Sequence, residues 1–210
     1  MKDRILITGG TGKLAVELKK HLKGDYVSTK DFDFTQEIPK KEYDLILHIG
    51  AYTDVKRAEF EDQKKCFMVN AYGTFNLAQT YKNTPFIYIS TEFAQNPFCV
   101  YALTKKLGEE VIKTHKAPYL IIRTLFKPNP FPFPKAYIDQ YTQGDYVDVI
   151  AELLAKKVRE WNRKTSSLEY LGTGRKTMFE LAQRTRPEVE PNSVNDYMKE
   201  TGLFIPKDYE

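Results

Sequence analysis

The chain predicts an α/β fold, a Rossmann-type doubly wound parallel sheet. Three observations carry that expectation: short apolar runs alternate with helical patterns, the first run ends in a glycine loop, and the runs lack clean apolar–polar alternation. Alternating strands and helices imply right-handed crossovers and a parallel sheet. Strands without clean alternation are expected to be buried on both faces.

Each element follows in order. Arg4–Thr8 is a buried strand and Leu14–Leu22 a helix, with apolar residues at Leu14, Val16, Leu18 and Leu22. Tyr26–Thr29 is a second strand, and Asp44–Ala51 a third apolar run. Lys64–Thr80 carries a helical pattern. Phe86–Ser90 and Tyr119–Thr124 are further strands, with a helix over Tyr101–Lys113 between them. Pro128–Pro134 holds four of the eleven prolines and must be an extended, stiff loop. Beyond it lie a helix at Val147–Trp161, a short strand at Leu168–Leu171 and a helix at Thr177–Arg184. Thr177 and Glu180 form a capping box at the start of that last helix. Ser193–Glu200 is one more helix. The expected division is a dinucleotide-binding part over 1–127 and a reduced substrate-binding region over 128–210, packed as one unit.

With 210 residues there is room for one complete dinucleotide-binding sheet and no second domain of normal size. The hydrophobic fraction of 41% and charged fraction of 29% are those of a water-soluble globular chain. The apolar runs are strand-sized, so no membrane span is expected. Met1–Ile5 runs straight into a strand pattern, and two cysteines, Cys66 and Cys99, suggest no disulfide framework or zinc site. A cytoplasmic setting is expected. The net charge of +4, from 32 basic and 28 acidic residues, gives no dense basic stripe, which argues against nucleic acid as a partner.

Thr8-Gly9-Gly10-Thr11-Gly12-Lys13-Leu14-Ala15 lies between a strand and a helix. Such a loop turns tightly, lets backbone approach a pyrophosphate, and offers helix N–H groups to the phosphates. At the end of the second strand, Ser28, Thr29 and Lys30 suit a 2′-phosphate, whereas Asp31 suits a free 2′-hydroxyl. NADPH is the favoured cofactor and NADH the alternative. Tyr101 and Lys105 stand four apart on one helix face, after a strand ending in Ser90-Thr91. A tyrosine of ordinary pKa, about 10, needs a neighbouring cation to exchange protons near neutrality.

Taken together these stretches resemble the extended short-chain dehydrogenase/reductase superfamily, and within it the dTDP-4-dehydrorhamnose reductase group. The similarity rests on Thr8–Ala15, Ala51–Val55 with Ala58-Glu59, Val69-Asn70-Ala71, Ile89–Glu92, Tyr101–Lys105 with Gly108-Glu109, Ile122–Thr124, and Asp139-Gln140 with Tyr146–Asp148. The resemblance implies reduction of a 4-keto nucleotide sugar in deoxysugar or surface-polysaccharide synthesis. It implies that Gly9, Gly12, Lys13 and Leu14 hold the pyrophosphate, with Asp33-Phe34 beside the adenine and Ala51 and Tyr52 lining the cofactor. Thr91 would hold the keto oxygen and Tyr101 donate the proton. Lys105 would bind the nicotinamide ribose and tune Tyr101. Thr53, Asn70, Glu92 and Arg123 would face the substrate, and no metal is implied. A homodimer is compatible with it. Alternatives are a nucleotide-sugar epimerase holding NAD and a non-catalytic NADP(H)-binding regulatory subunit.

Two departures stand out. Glu92–Val100 is much shorter than the family's loop between threonine and tyrosine, and Lys56 replaces an aspartate. The short loop implies a more open sugar site, with Pro128–Pro134 expected to supply part of its wall. His48 is expected to be a satisfied strand histidine, and Cys66 and Cys99 packing residues.

Overall fold

Side chains along the first strand, β1 (Ile5–Thr8), divide between two faces, as a period of two requires. Ile5 and Ile7 join one apolar cluster and Leu6 another. The same division runs through β3 (Leu45–His48), β4 (Phe86–Thr91) and β5 (Tyr119–Thr124): Leu45, Leu47, Ile87, Ile89, Leu120 and Ile122 face one way, Ile46, Phe86, Tyr88 and Ile121 the other. Both sets are buried, so the sheet needs helices on both faces. The coordinates are a computed structural model describing residues 3–39 and 41–209, so Met1 and Lys2 at the start of the first strand pattern lie outside it.

The described residues form a six-stranded parallel sheet in the order β2 (Asp25–Val27), β1, β3, β4, β5 and Ser167–Tyr170. On one face lie α1 (Lys13–Leu18) and α6 (Val147–Glu160), whose Leu14, Leu18, Ile150, Leu154 and Val158 fill the first cluster. On the other lie α4 (Gly73–Thr80) and α5 (Val100–Lys113), contributing Leu77, Ala78 and Ile112. Between β3 and α4 come α2 (Val55–Phe60) and α3 (Gln63–Phe67). The helix expected over Lys64–Thr80 is interrupted at Met68–Tyr72 by a π turn, which widens the helix by one residue. Gly73 follows that turn because the Phe34 ring occupies the space of a side chain there; a Cβ would stand 2.5 Å from Phe34 Cδ2.

The division at residue 127 is corrected by the packing. Residues of α6 and the Ser167–Tyr170 strand return to the main sheet and its first cluster. A separate small cluster gathers Phe131, Ala136, Tyr146, Met178, Leu181, Ala182 and Val189. It is framed by short strand pairings between Lys135–Tyr137 and Glu190–Asn192 and between Tyr141–Thr142 and Lys176–Thr177, by α7 (Met178–Gln183), and by α8 (Val194–Thr201) beside it. The Thr177–Glu180 capping box is present at the start of α7. Pro128–Pro134 forms no helix or strand, as expected, but it bends at Asn129-Pro130 and Pro134 instead of running extended; Phe131 packs into this small cluster and its amide bonds Thr185. Among the described residues no helix is long and apolar enough to cross a membrane.

Candidate active site

Thr91 and Arg123 sit at the carboxyl ends of β4 and β5, and the other expected site residues on the loops and helices that connect the parallel strands. In an open α/β sheet, ligands enter where successive crossovers leave in opposite directions. Here that point falls between β1 and β3. The two loops touch through backbone: a Cβ on Gly9 would stand 2.7 Å from Gly50 Cα, and Gly9 has a φ of +73 that favours glycine. Gly12 differs. A Cβ there would meet a single backbone atom, Gly9 O, at 3.2 Å, a tight contact rather than a clash with a second loop. Gly12 is also the N-cap of α1 and supplies no side-chain cap, so the first amides of the helix at Lys13 and Leu14 have no intrahelical acceptor. A glycine turn with uncapped amides behind it fits a pyrophosphate.

Nearby, Asp31 is drawn into a local turn. Its Oδ2 accepts from Ser28 N at 2.7 Å and Ser28 Oγ at 2.9 Å, and these bonds hold its pKa below the ordinary carboxylate value. Thr29 and Lys30 stay exposed at the same strand end. Asp33 similarly closes on Thr35, through Thr35 N and Oγ1, both at 2.8 Å. Phe34 is buried against His48, 5.0 Å between ring centres, so its side chain is core.

His48 is a satisfied strand residue. Thr74 Oγ1 donates to Asn70 O at 2.7 Å, so it can only accept from His48 Nε2, 3.1 Å away. Nε2 therefore carries the proton, Nδ1 accepts from Thr8 Oγ1 at 2.6 Å, and Thr8 Oγ1 accepts from Gly50 N at 3.1 Å. Burial holds this imidazole neutral, with its pKa pushed down to about 3.

At the end of β4, Thr91 is buried and caps the following turn by accepting from Phe93 N at 3.3 Å. Burial raises the Tyr101 pKa, and the neighbouring Thr91 side chain opposes it. One turn along α5, Lys105 is 3% exposed. Its Nζ donates to Ile89 O at 2.7 Å and lies 4.0 Å from the Tyr88 ring centre. Burial pushes its pKa down to about 7. In this structure the Lys105 ammonium is held on a β4 carbonyl and over a β4 ring.

Three expected substrate contacts are inward-facing as well. Asn70, 1% exposed, accepts from Tyr52 N at 2.8 Å and donates to Tyr52 O and Thr104 Oγ1, bracing the loop after β3 against α5. Arg123 is 4% exposed and forms a bidentate pair with Glu109, Nε and Nη2 each at 2.8 Å, while Nη1 reaches Gln95 and Tyr170. Ser90 adds a third bond to Glu109 at 2.6 Å. Glu92 is buried and accepts from Thr142 Oγ1 at 2.7 Å and Gln143 N at 3.0 Å; burial raises its pKa. These side chains hold β4, β5, α5 and the 141–144 segment together because buried polar groups must be partnered. Thr53 is exposed. Tyr52 points its hydroxyl to Asp62 at 2.8 Å, and burial with that carboxylate pushes its pKa up to about 12.

The family model described as the RmlD substrate binding domain matches residues 2–152. The chain belongs to this family. Among its relatives, a dTDP-4-dehydrorhamnose reductase of Aggregatibacter actinomycetemcomitans is 29% identical over 150 residues, 58% of this chain and 50% of that protein. The spore coat polysaccharide biosynthesis protein SpsK of Bacillus subtilis (strain 168) is 25% identical over 148 residues, 58% of this chain and 52% of that protein. The chain thus spans about half the length of these curated relatives. In fold it is similar to a dTDP-4-dehydrorhamnose reductase of Bacillus anthracis solved in complex with NADP, with a TM-score of 0.80 and 23% identity over 100% of this chain and 90% of that one.

For this member of the RmlD family, sequence reasoning missed the wall beside Tyr101. Phe93 meets Tyr101 edge-on at 6.3 Å, Phe98 at 5.2 Å and Tyr209 at 4.7 Å between ring centres. The expected wall, Pro128–Pro134, instead bonds Thr185 and Asp148. The density of aromatic residues at Phe93, Phe98 and Tyr101 was the available signal. Tyr209 lies too far along the chain for any local pattern to reveal.

Proposed function

We propose that the chain is an NADPH-dependent reductase of a 4-keto nucleotide sugar, working in deoxysugar or surface-polysaccharide synthesis. One observation carries the reading: the Tyr101 phenol neighbours Thr91 at the end of β4, on the same sheet edge as the Gly9–Gly12 loop and the uncapped amides of α1. Gly9 shapes that loop, and the Lys13 and Leu14 amides would hold the pyrophosphate. Ala51 and Tyr52 would flank the cofactor after β3. Thr29 and Lys30 would take a 2′-phosphate, because Asp31 is occupied by Ser28. The bound cofactor supplies a hydride to the carbonyl carbon. Tyr101, kept protonated through neutral pH by its raised pKa, gives its hydroxyl proton to the carbonyl oxygen as the C=O bond becomes C–OH. Thr91 positions both oxygens. Lys105, poised near neutrality, is the cation available to that edge once it turns from Ile89 O.

Tyr101→Phe keeps the ring and removes the proton. Turnover of a keto nucleotide sugar falls by about 10²–10⁴-fold, with the NADPH dissociation constant unchanged within about twofold. Retained turnover removes Tyr101 from the donor role. NADPH binds more tightly than NADH, and the difference shrinks in Lys30→Ala; tighter NADH binding reverses the cofactor assignment. A second reading, a cofactor-binding regulatory subunit, is favoured by Lys105 Nζ being committed to Ile89 O. A cofactor-induced thermal shift together with no turnover in the unaltered chain selects it.

A further inference from the structure

Gly202, with a φ of +70, ends α8 and sends Leu203–Tyr209 back to the sheet edge beside Tyr101. Polar contacts fasten this segment. Tyr141 N donates to Lys207 O at 2.8 Å, Lys207 Nζ lies 2.8 Å from the Asp139 carboxylate, and the Asp208 carboxylate lies 2.5 Å from the Arg175 guanidinium. Tyr209 is 4% exposed. Its ring packs 4.7 Å from Phe93 and 6.2 Å from Phe98, and its hydroxyl accepts from Gln140 Nε2 at 2.8 Å. Phe93 carries the contact on to Tyr101. Among Glu92, Thr142, Tyr170 and this segment the remaining cavity is about 10 Å³, the room of about one water.

Two adjacent residues therefore set a carboxylate on an arginine and a planar ring against two aromatic faces. A nucleoside phosphate offers the same pair of features, an anion joined to a planar ring. The Arg175 guanidinium carbon lies over the Tyr141 ring, 3.6 Å from its centre. A phosphate carries more charge than Asp208 and accepts the same fork of N–H groups. We propose that Asp208 and Tyr209 occupy the nucleotide subsite of the substrate, and that a nucleoside diphosphate displaces them. Arg175 exchanges Asp208 for phosphate, and Phe93 with Phe98 exchanges the Tyr209 ring for the base. The segment is thus an internal competitor, lowering apparent affinity by the fraction of chains in which it is docked. The proposal rests on the nucleotide-sugar reading above and names its subsite and regulation.

The test uses dTDP as the probe and calorimetry as the readout. The D208A/Y209A variant binds dTDP about tenfold more tightly than the unaltered chain, and Asp208→Asn shifts affinity in the same direction. Adding Arg175→Ala to the double variant weakens dTDP by about tenfold. NADPH affinity stays within about twofold throughout, which also reports folding; Asp208→Asn keeps the side-chain shape and decides the question if the double variant does not fold. In the unaltered chain, saturating dTDP accelerates tryptic cleavage after Lys207, followed by mass. The proposal is overturned if the docked-segment variants bind dTDP no more tightly, if dTDP leaves cleavage after Lys207 unchanged, or if dTDP binds none of these forms. Tyr101-dependent turnover in that last case leaves the reductase reading standing alone. Displacement of the segment with turnover indifferent to Tyr101→Phe leaves the subsite standing alone.

Discussion

The two sides of the Tyr101 edge are built differently. On the β1–β3 side the site is made of backbone: a glycine at positive φ, a glycine whose Cβ would meet a backbone oxygen, and uncapped helix amides. On the β4–β5 side it is made of side chains that already hold one another, from the Arg123–Glu109–Ser90 cluster to the Phe93–Phe98–Tyr209 stack. The first side offers unpaired amides to a ligand as it stands. The second is closed, and its expected ligand contacts are spent on the fold. A backbone site needs only the right residues in a row; a side-chain site depends on what packs against it.

The comparison breaks first at Arg123. If its role is structural, Arg123→Met leaves buried Glu109 with only the longer Lys106 contact at 3.4 Å and costs about 3 kcal/mol in urea unfolding, with much of the loss recovered when Glu109 is also replaced by Gln. A small loss, with weakened substrate binding instead, would return Arg123 to the ligand side. Next comes Gly9→Ala, which must adopt a positive φ and meet Gly50; it costs about 2 kcal/mol and reduces NADPH binding. Proton linkage sharpens the buried side. Below its ordinary pKa of 6.5, His48 binds a proton more readily unfolded than folded, so stability falls from pH 6.5 toward pH 3 by up to about 1.4 kcal/mol per pH unit. His48→Gln flattens that slope. Lys105 has the same sign in another window: from about 7 up to its ordinary 10.5 the unfolded chain holds the extra proton, so stability rises with pH, and Lys105→Met loses the rise. Both slopes are read from denaturant midpoints measured at stepped pH. The smallest effect on stability is at Gly12→Ala, about 1 kcal/mol, because its φ of −71 suits alanine and the methyl presses only on Gly9 O, yet NADPH binding weakens by about tenfold because the methyl crowds the N-terminus of α1. An equal loss of stability at Gly9 and Gly12 would erase the distinction between them.

Much of the fold was written in local pattern. The strands Tyr119–Thr124 and Phe86–Thr91, the capping box at Thr177 and Glu180, and the helix over residues 100–113 follow from period, caps and breakers acting within a few residues. The glycine loop was readable for the same reason, since a turn at Gly9 is a property of that residue's backbone. The short two-residue strand pairings of the small lobe were not, because each is held by a partner distant in sequence, as Thr142 and Lys176 show. The π turn at Met68–Tyr72 likewise answers to Phe34 filling the space over Gly73.

The candidate site divides along the same line. By itself the sequence determined the parallel sheet, the loop that can hold a pyrophosphate, and the presence of Thr91, Tyr101 and Lys105 at one strand end and the following helix. Only the tertiary structure decided that Lys105 faces Ile89 and Tyr88, that Asn70, Glu92 and Arg123 are committed inward, and that Asp208 and Tyr209 close the wall beside Tyr101. Residue type sets what a side chain can do. Which partner it meets is set by burial and charge pairing across tens of intervening residues, and those are fixed when the layers pack.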